Sequence, residues 1–162
     1  MIIPIDITSI GIVGTGGISN ESRLLADQVA RAREHVRESY VLGGAGNDAF
    51  RDLCTVAKDC RLPNWDGYGA SPVSEQAFSF ACRFLRTMPL GTPAPAVGIE
   101  PDGHPTFEWH RSAYRTLSVS VSPHGDLYYS ALIGPNKVFG TEAFLGDIPQ
   151  SILELIRRVT AG

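Results

Sequence analysis

The chain is poor in most features that mark a specialised class. Its 162 residues hold three cysteines, two methionines and two tryptophans. Cys54, Cys60 and Cys82 are too few, and odd in number, for a disulfide scaffold, and they form no close C-x-x-C pair. Cys54 and Cys60 stand six positions apart, which is not a zinc spacing. Buried thiols in a reducing compartment are the expectation, with no metal site and no cofactor. Charged residues make up only 19% of the chain, and the net charge is −3. The densest basic run, Arg31, Arg33 and Arg37, is interrupted by Glu34 and Glu38. Without a basic stripe, binding to a nucleic-acid backbone is not expected. No apolar run reaches the roughly 18–20 residues a membrane-spanning helix needs. Met1–Val13 is apolar, but it lacks Lys and Arg and contains Asp6, so it does not read as a secretory signal. A soluble, cytoplasmic protein is expected.

What is present is enough for one hydrophobic core: 43% of residues are hydrophobic. With 17 glycines and 11 prolines, turns are many. The expected organisation is an apolar arm over 1–19 followed by one α+β domain over 20–162. Leu25, Val29, Ala32, Val36 and Tyr40 recur at helical spacing and predict a long helix from about Asn20 to Leu42. Gly43–Gly46 reads as a flexible connection, and Asn47 or Asp48 as the cap of a short helix through Lys58. A further helix is expected over Ser74–Met88, capped by Ser74, with Phe78, Ala81, Cys82, Leu85 and Met88 as its apolar stripe. Four strands follow, at about Ala96–Glu100, Pro105–His110, Tyr114–Val121 and Leu127–Ile133. Their one-sided alternation predicts an antiparallel meander packed on helices by one face. Gly134–Gly146 reads as a loop, and a terminal helix begins near Ile148, with Ile152, Leu155, Ile156 and Val159 inward.

Three segments carry polar residues in patterns that chemistry uses. The first is Gly14-Thr15-Gly16-Gly17 after an apolar run. It resembles the phosphate-cradling turn of nicotinamide-dependent dehydrogenases, with Gly14, Gly16 and Gly17 as its weak cofactor-binding candidates. Ser19 occupies the place of that motif's last glycine, and no βαβ unit follows. The second is Asn64-Trp65-Asp66-Gly67-Tyr68-Gly69-Ala70. Here Asp66 suits an Asx-type turn, while Asn64, Trp65, Asp66 and Tyr68 would present polar groups beside an aromatic floor. The third is the set Asp102, His104, Glu108, His110, His124 and Asp126 along the meander. Two turns at one end of a meander lie about 10 Å apart, too far for one zinc, so exposed turn residues are the expectation.

From about Leu62 to the C-terminus the chain resembles a family of small uncharacterised bacterial proteins. The resemblance rests on Asn64–Ala70, the helix after it, the turn Pro101-Asp102-Gly103 and the strand ending Glu108-Trp109. It implies a shared fold and no known reaction.

The outward face of the meander is rich in hydroxyls and aromatics. Tyr114, Thr116, Ser118, Ser120, Tyr128 and Ser130 are its interface candidates, with Glu108 and His110 beside them. No G-x-S-x-G and no H-E-x-x-H occurs. The expected function is therefore that of a non-catalytic, protein-binding accessory protein of a bacterial cytoplasm, for instance a partner-neutralising or immunity-type protein. The alternative is a small-molecule-binding enzyme that uses the Asn64–Ala70 loop, or a nucleotide at Gly14–Gly17. A homo-oligomer joined by the arm or the sheet face is the third class. A protein partner or self-association is expected in either non-enzymatic case.

Overall fold

The computed structural model describes residues 27–30 and 44–162. The expected arm, its glycines Gly14, Gly16 and Gly17, and most of the long first helix lie outside the described residues. Residues 27–30 are helical, and Val29 among them joins the core.

The described chain runs α1 (Gly44–Asp59), α2 (Glu75–Thr87), five strands and α3 (Gln150–Thr160). The strands are β1 (Ala96–Ile99), β2 (Pro105–Ser112), β3 (Arg115–Val121), β4 (Asp126–Ile133) and β5 (Asn136–Ala143). They form one antiparallel sheet in the order β1-β2-β3-β4-β5. The fold is thus α+β as expected, with two corrections. The sheet has five strands instead of four, because most of the expected loop 134–146 is β5. Helix α1 begins at Gly44, so Asn47 and Asp48 lie in its first turns and do not cap it. Asp48 pairs instead with Arg51 at 2.6 Å, one turn on. The apolar stripe Ala49, Phe50, Leu53, Cys54 and Ala57 is buried, and this packing outweighs the roughly 1 kcal/mol that glycine costs in a helix.

Helix α2 follows its sequence closely. The Ser74 hydroxyl accepts from Ala77 N at 3.1 Å, which satisfies one free donor of the first turn. Helix α3 buries the expected Ile152, Leu155, Ile156 and Val159. It lies across β2, β3 and β4, while α2 packs on β2 and β3, and α1 packs on β1 and α2. The core therefore sits on one side of the sheet, where Phe107, Trp109, Leu117, Val119, Val121 and Leu127 meet the helices. Phe84 of α2 stacks on Phe107 with centroids 4.9 Å apart.

Two hairpins turn alike. In Glu100–His104, Gly103 N donates to Glu100 O at 2.8 Å, and in Ser122–Asp126, Gly125 N donates to Ser122 O at 3.2 Å. Each glycine has positive φ, 86° and 85°, as the last residue of such a three-residue loop requires.

The Asn64–Ala70 loop reaches the first hairpin turn through Ser71, and the strand residue Trp109 reaches the linker. Ser71 N donates to Pro101 O at 2.7 Å, and the Trp65 indole donates to Ser71 O at 2.9 Å. A Cβ on Gly103 would stand 2.5 Å from Pro72 O. Trp109 is buried, and its indole donates to Pro93 O at 2.8 Å, holding the linker that leads into β1. These residues fasten the loop before α2 to the first turn, and β2 to the linker before β1. Gly103→Ala combines backbone strain with a steric clash and is expected to cost about 2–4 kcal/mol in urea unfolding. Gly67→Ala has the same sign of φ but open space around it, and is expected to cost only about 1 kcal/mol. Equal losses for the two would contradict the packing argument.

Candidate functional site

The face of the sheet turned away from the helices is built by simple alternation. Even-numbered residues of β1, β2 and β4 point outward, and so do the even residues of β3. Across the strands the register aligns Gly98, Thr106, Ser120, Tyr128 and Thr141 in one row. The next row is Ala96, Glu108, Ser118, Ser130 and Phe139. A third is His110, Thr116, Leu132 and Lys137. No described helix covers this face.

The expected interface residues fall into four groups. Tyr128 and Ser130 are exposed on the open face, and Thr116 and Ser118 are half-buried between neighbours. Tyr114 is 69% exposed but sits at the β2–β3 hairpin tip, where its carbonyl accepts from Gly134 N at 2.8 Å. Ser120 is buried and committed: its hydroxyl lies 2.6 Å from Glu100 Oε1 and 3.1 Å from the Thr106 hydroxyl, which itself lies 2.9 Å from the same carboxylate oxygen. Ser120 therefore stiffens one corner of the face and offers little free surface. Phe139 was not legible in advance. It is 79% exposed and stands beside Ser130.

The histidines and carboxylates do not converge. His104 Nδ1 lies 3.2 Å from Asp102 Oδ2, and the Asp102 carboxylate also accepts from His104 N at 3.0 Å. The imidazole then lies parallel to the Tyr128 ring at 6.0 Å. His104 thus supports the exposed tyrosine from one side. Glu108 and His110 share the open face as expected, both exposed. Among the described residues no group of three His, Cys, Asp or Glu side chains is placed to hold one metal ion.

The Asn64–Ala70 loop turns its polar atoms on itself. Asn64, with φ of 60°, accepts from Gly69 N at 2.7 Å through its side-chain oxygen. Asp66 accepts from Tyr68 N at 2.8 Å and Ala70 N at 3.1 Å. Trp65 is half-buried against the loop, and only Tyr68, 95% exposed, reaches fully outward. The Tyr68 amide is the main cause that holds the Asp66 carboxyl below its ordinary pKa of 3.8; partial desolvation opposes it, and the Ala70 amide adds to it. A cleft of about 380 Å³ lies on the helix side between Pro89–Pro93 and Leu153, Ile156 and Arg157 of α3.

All three cysteines are buried. Burial pushes the Cys82 thiol up to about 12, with Cys54 beside it adding to the rise. Burial raises Cys60 as well, with Asp59 contributing. Neither Cys60 nor Cys82 has the lowered pKa that a nucleophile needs.

Comparison with family models, with curated proteins and with solved structures returned no match.

A folded-state pKa below the unfolded one means that the ionised Asp66 stabilises the native state above pH 3.8, and that this contribution is lost as pH falls through the lowered value. Asp66→Asn should lower the urea midpoint at neutral pH, and the gap from wild type should narrow below pH 3.8; a gap independent of pH would contradict the carboxylate's role. Native protein should leave Cys60 and Cys82 unlabelled by a thiol reagent at mildly alkaline pH, and label them only after unfolding. Rapid labelling of either in the native state would contradict their burial.

Proposed function

We propose that the chain is a protein-binding accessory module whose working surface is the open face of the sheet. The observation that carries this reading is the composition of that face. Tyr128 and Phe139 stand exposed, at 43% and 79%: Tyr128 lies beside Thr141 and the buried Ser120, Phe139 lies beside Ser130 and Ser118, and Gly98, Ala96, Thr106 and Glu108 complete the two rows. Charges are few there: Glu108 and Lys137 on the strands, and Glu100 at the rim. An exposed aromatic with few rotatable bonds supplies contact area at little entropic cost, and surrounding hydroxyls adapt their hydrogen bonds to a partner. Antiparallel sheets often leave one polar face to water.

The rim supports the same use. Glu100 fixes Thr106 and Ser120, and His104 backs Tyr128, so the tyrosine is held before any partner arrives. Pre-ordering of this kind lowers the cost of binding. A partner-neutralising role in a bacterial cytoplasm is the concrete form of the proposal. The small-molecule reading has less support, because Asn64 and Asp66 spend their acceptor oxygens on the loop's own amides.

The test is a paired substitution that leaves the fold alone. Thr116 faces His110 and Leu132, and Ser130 faces Ser118 and Phe139, so Thr116→Lys with Ser130→Glu sets no like charges opposite each other. The wild-type protein, purified gently from its source, should carry a second protein at fixed stoichiometry. The variant should keep its melting temperature and bind that protein at least about tenfold more weakly, near 1.4 kcal/mol. Unchanged affinity would place the partner elsewhere and reject the open face.

A further inference from the structure

We propose that the outer edge of β5 pairs antiparallel with β5 of a second copy of this chain, about a two-fold axis through Phe139. The two five-stranded sheets then become one continuous sheet. This goes beyond the partner-docking reading and does not depend on it, since it uses the edge of the sheet and not its face.

The direction of the backbone comes first. Phe144 N donates to Gly125 O at 2.8 Å, which extends the β4–β5 ladder one pair past Asp126↔Ala143. Backbone groups alternate direction along a strand. Val138, Gly140 and Glu142 therefore aim theirs at β4, and Lys137, Phe139 and Thr141 aim theirs outward. No other described strand pairs with that outer side. Free edges are normally shortened, bent or blocked by proline. Edge strand β1 follows this practice: it has four residues, with Pro93 and Pro95 just before it. Strand β5 uses less of it: it has eight residues, no proline and an unbroken register with β4, and Lys137 and Glu142 are its charged residues.

The side chains select a second copy as the occupant. Residues opposed in an antiparallel pair must share a face, so a two-fold axis has to pass through a residue of β5. With the axis through Phe139, that ring meets its own mate, and Val138 meets Gly140 of the other copy. Lys137 then meets Thr141, and Asn136 meets Glu142. No like charges are opposed, and each Asn136 amide faces a carboxylate. The most exposed aromatic of the strand, Phe139, gains an aromatic neighbour. Moving the axis to Gly140 sets Val138 against Glu142 and separates the two rings. Of these registers, the axis through Phe139 is the one that pairs the two exposed rings with each other and each Asn136 with a carboxylate, a self-complementary pattern of the kind an isologous interface uses.

Phe139 offers a direct test, because its exposed side chain can change without disturbing the core. The wild-type chain should be a dimer in native mass spectrometry and in sedimentation from micromolar to sub-millimolar concentration. Phe139→Lys and Phe139→Glu each oppose like charges across the axis, and each should be monomeric with an unchanged far-ultraviolet spectrum. Mixing the two variants should restore a heterodimer. Thr141→Pro removes an outward N–H that no internal bond uses, and it should also give a folded monomer. A monomeric wild type would overturn the proposal. So would single variants that remain dimeric, or a mixture that stays monomeric.

Discussion

A sheet that carries its described helices on one face must satisfy two different surroundings with one chain. Every strand residue is committed to a face by the two-residue period, and a slip of one position would send Phe107, Leu117 and Val119 to water. The register is therefore the constraint on which the rest depends. Two like-built turns, Glu100–His104 and Ser122–Asp126, fix it at one end of the sheet, each closed by a glycine with positive φ. The Phe84–Phe107 stack then locks α2 to the middle of the sheet. The same commitment that buries one set of residues leaves Tyr128, Ser130 and Phe139 outside.

The residues that make the chain distinctive in sequence turn out to be fasteners. Trp65, Ser71, Pro101, Gly103 and Trp109 sit in three separate stretches, yet hydrogen bonds and a close glycine contact join the loop to the turn and the strand to its linker. Such a set is held together by geometry, since replacing one partner strands the polar group of the other. The working surfaces proposed above are made of commoner residues, which leave no comparable mark.

Much of the fold was legible because its elements obey their periods. Ser74 and the apolar stripe after it announce α2, and Ile152, Leu155, Ile156 and Val159 announce α3. The alternation of Leu117, Val119 and Val121 announces β3. Strand β5 hid because its pattern is inverted. Its helix-side positions include Gly140 and Glu142, while Phe139 faces out. Gly140 is small because the Tyr129 ring of β4 occupies that space: a Cβ there would lie 2.6 Å from the tyrosine oxygen. Glu142 turns to the Ser151 hydroxyl at the start of α3. A polar partner and a borrowed aromatic replace the usual apolar row, and neither can be read from β5 alone. The site was half legible for the same reason. The hydroxyl row of β3 was visible, but not that Glu100 would claim Ser120 or that Phe139 would complete the face.

The one-sidedness of the sheet is open to direct observation. Hydroxyl-radical footprinting of the isolated full-length chain, read residue by residue in mass spectrometry, reports side-chain access to water. Tyr128 and His110 should oxidise readily, while Trp109 and Phe107, their neighbours on the same strands or the next, should stay protected. Protection of Tyr128 and His110 to the level of Phe107 would mean that the face is already covered within the chain. The account of an open working surface would then fail.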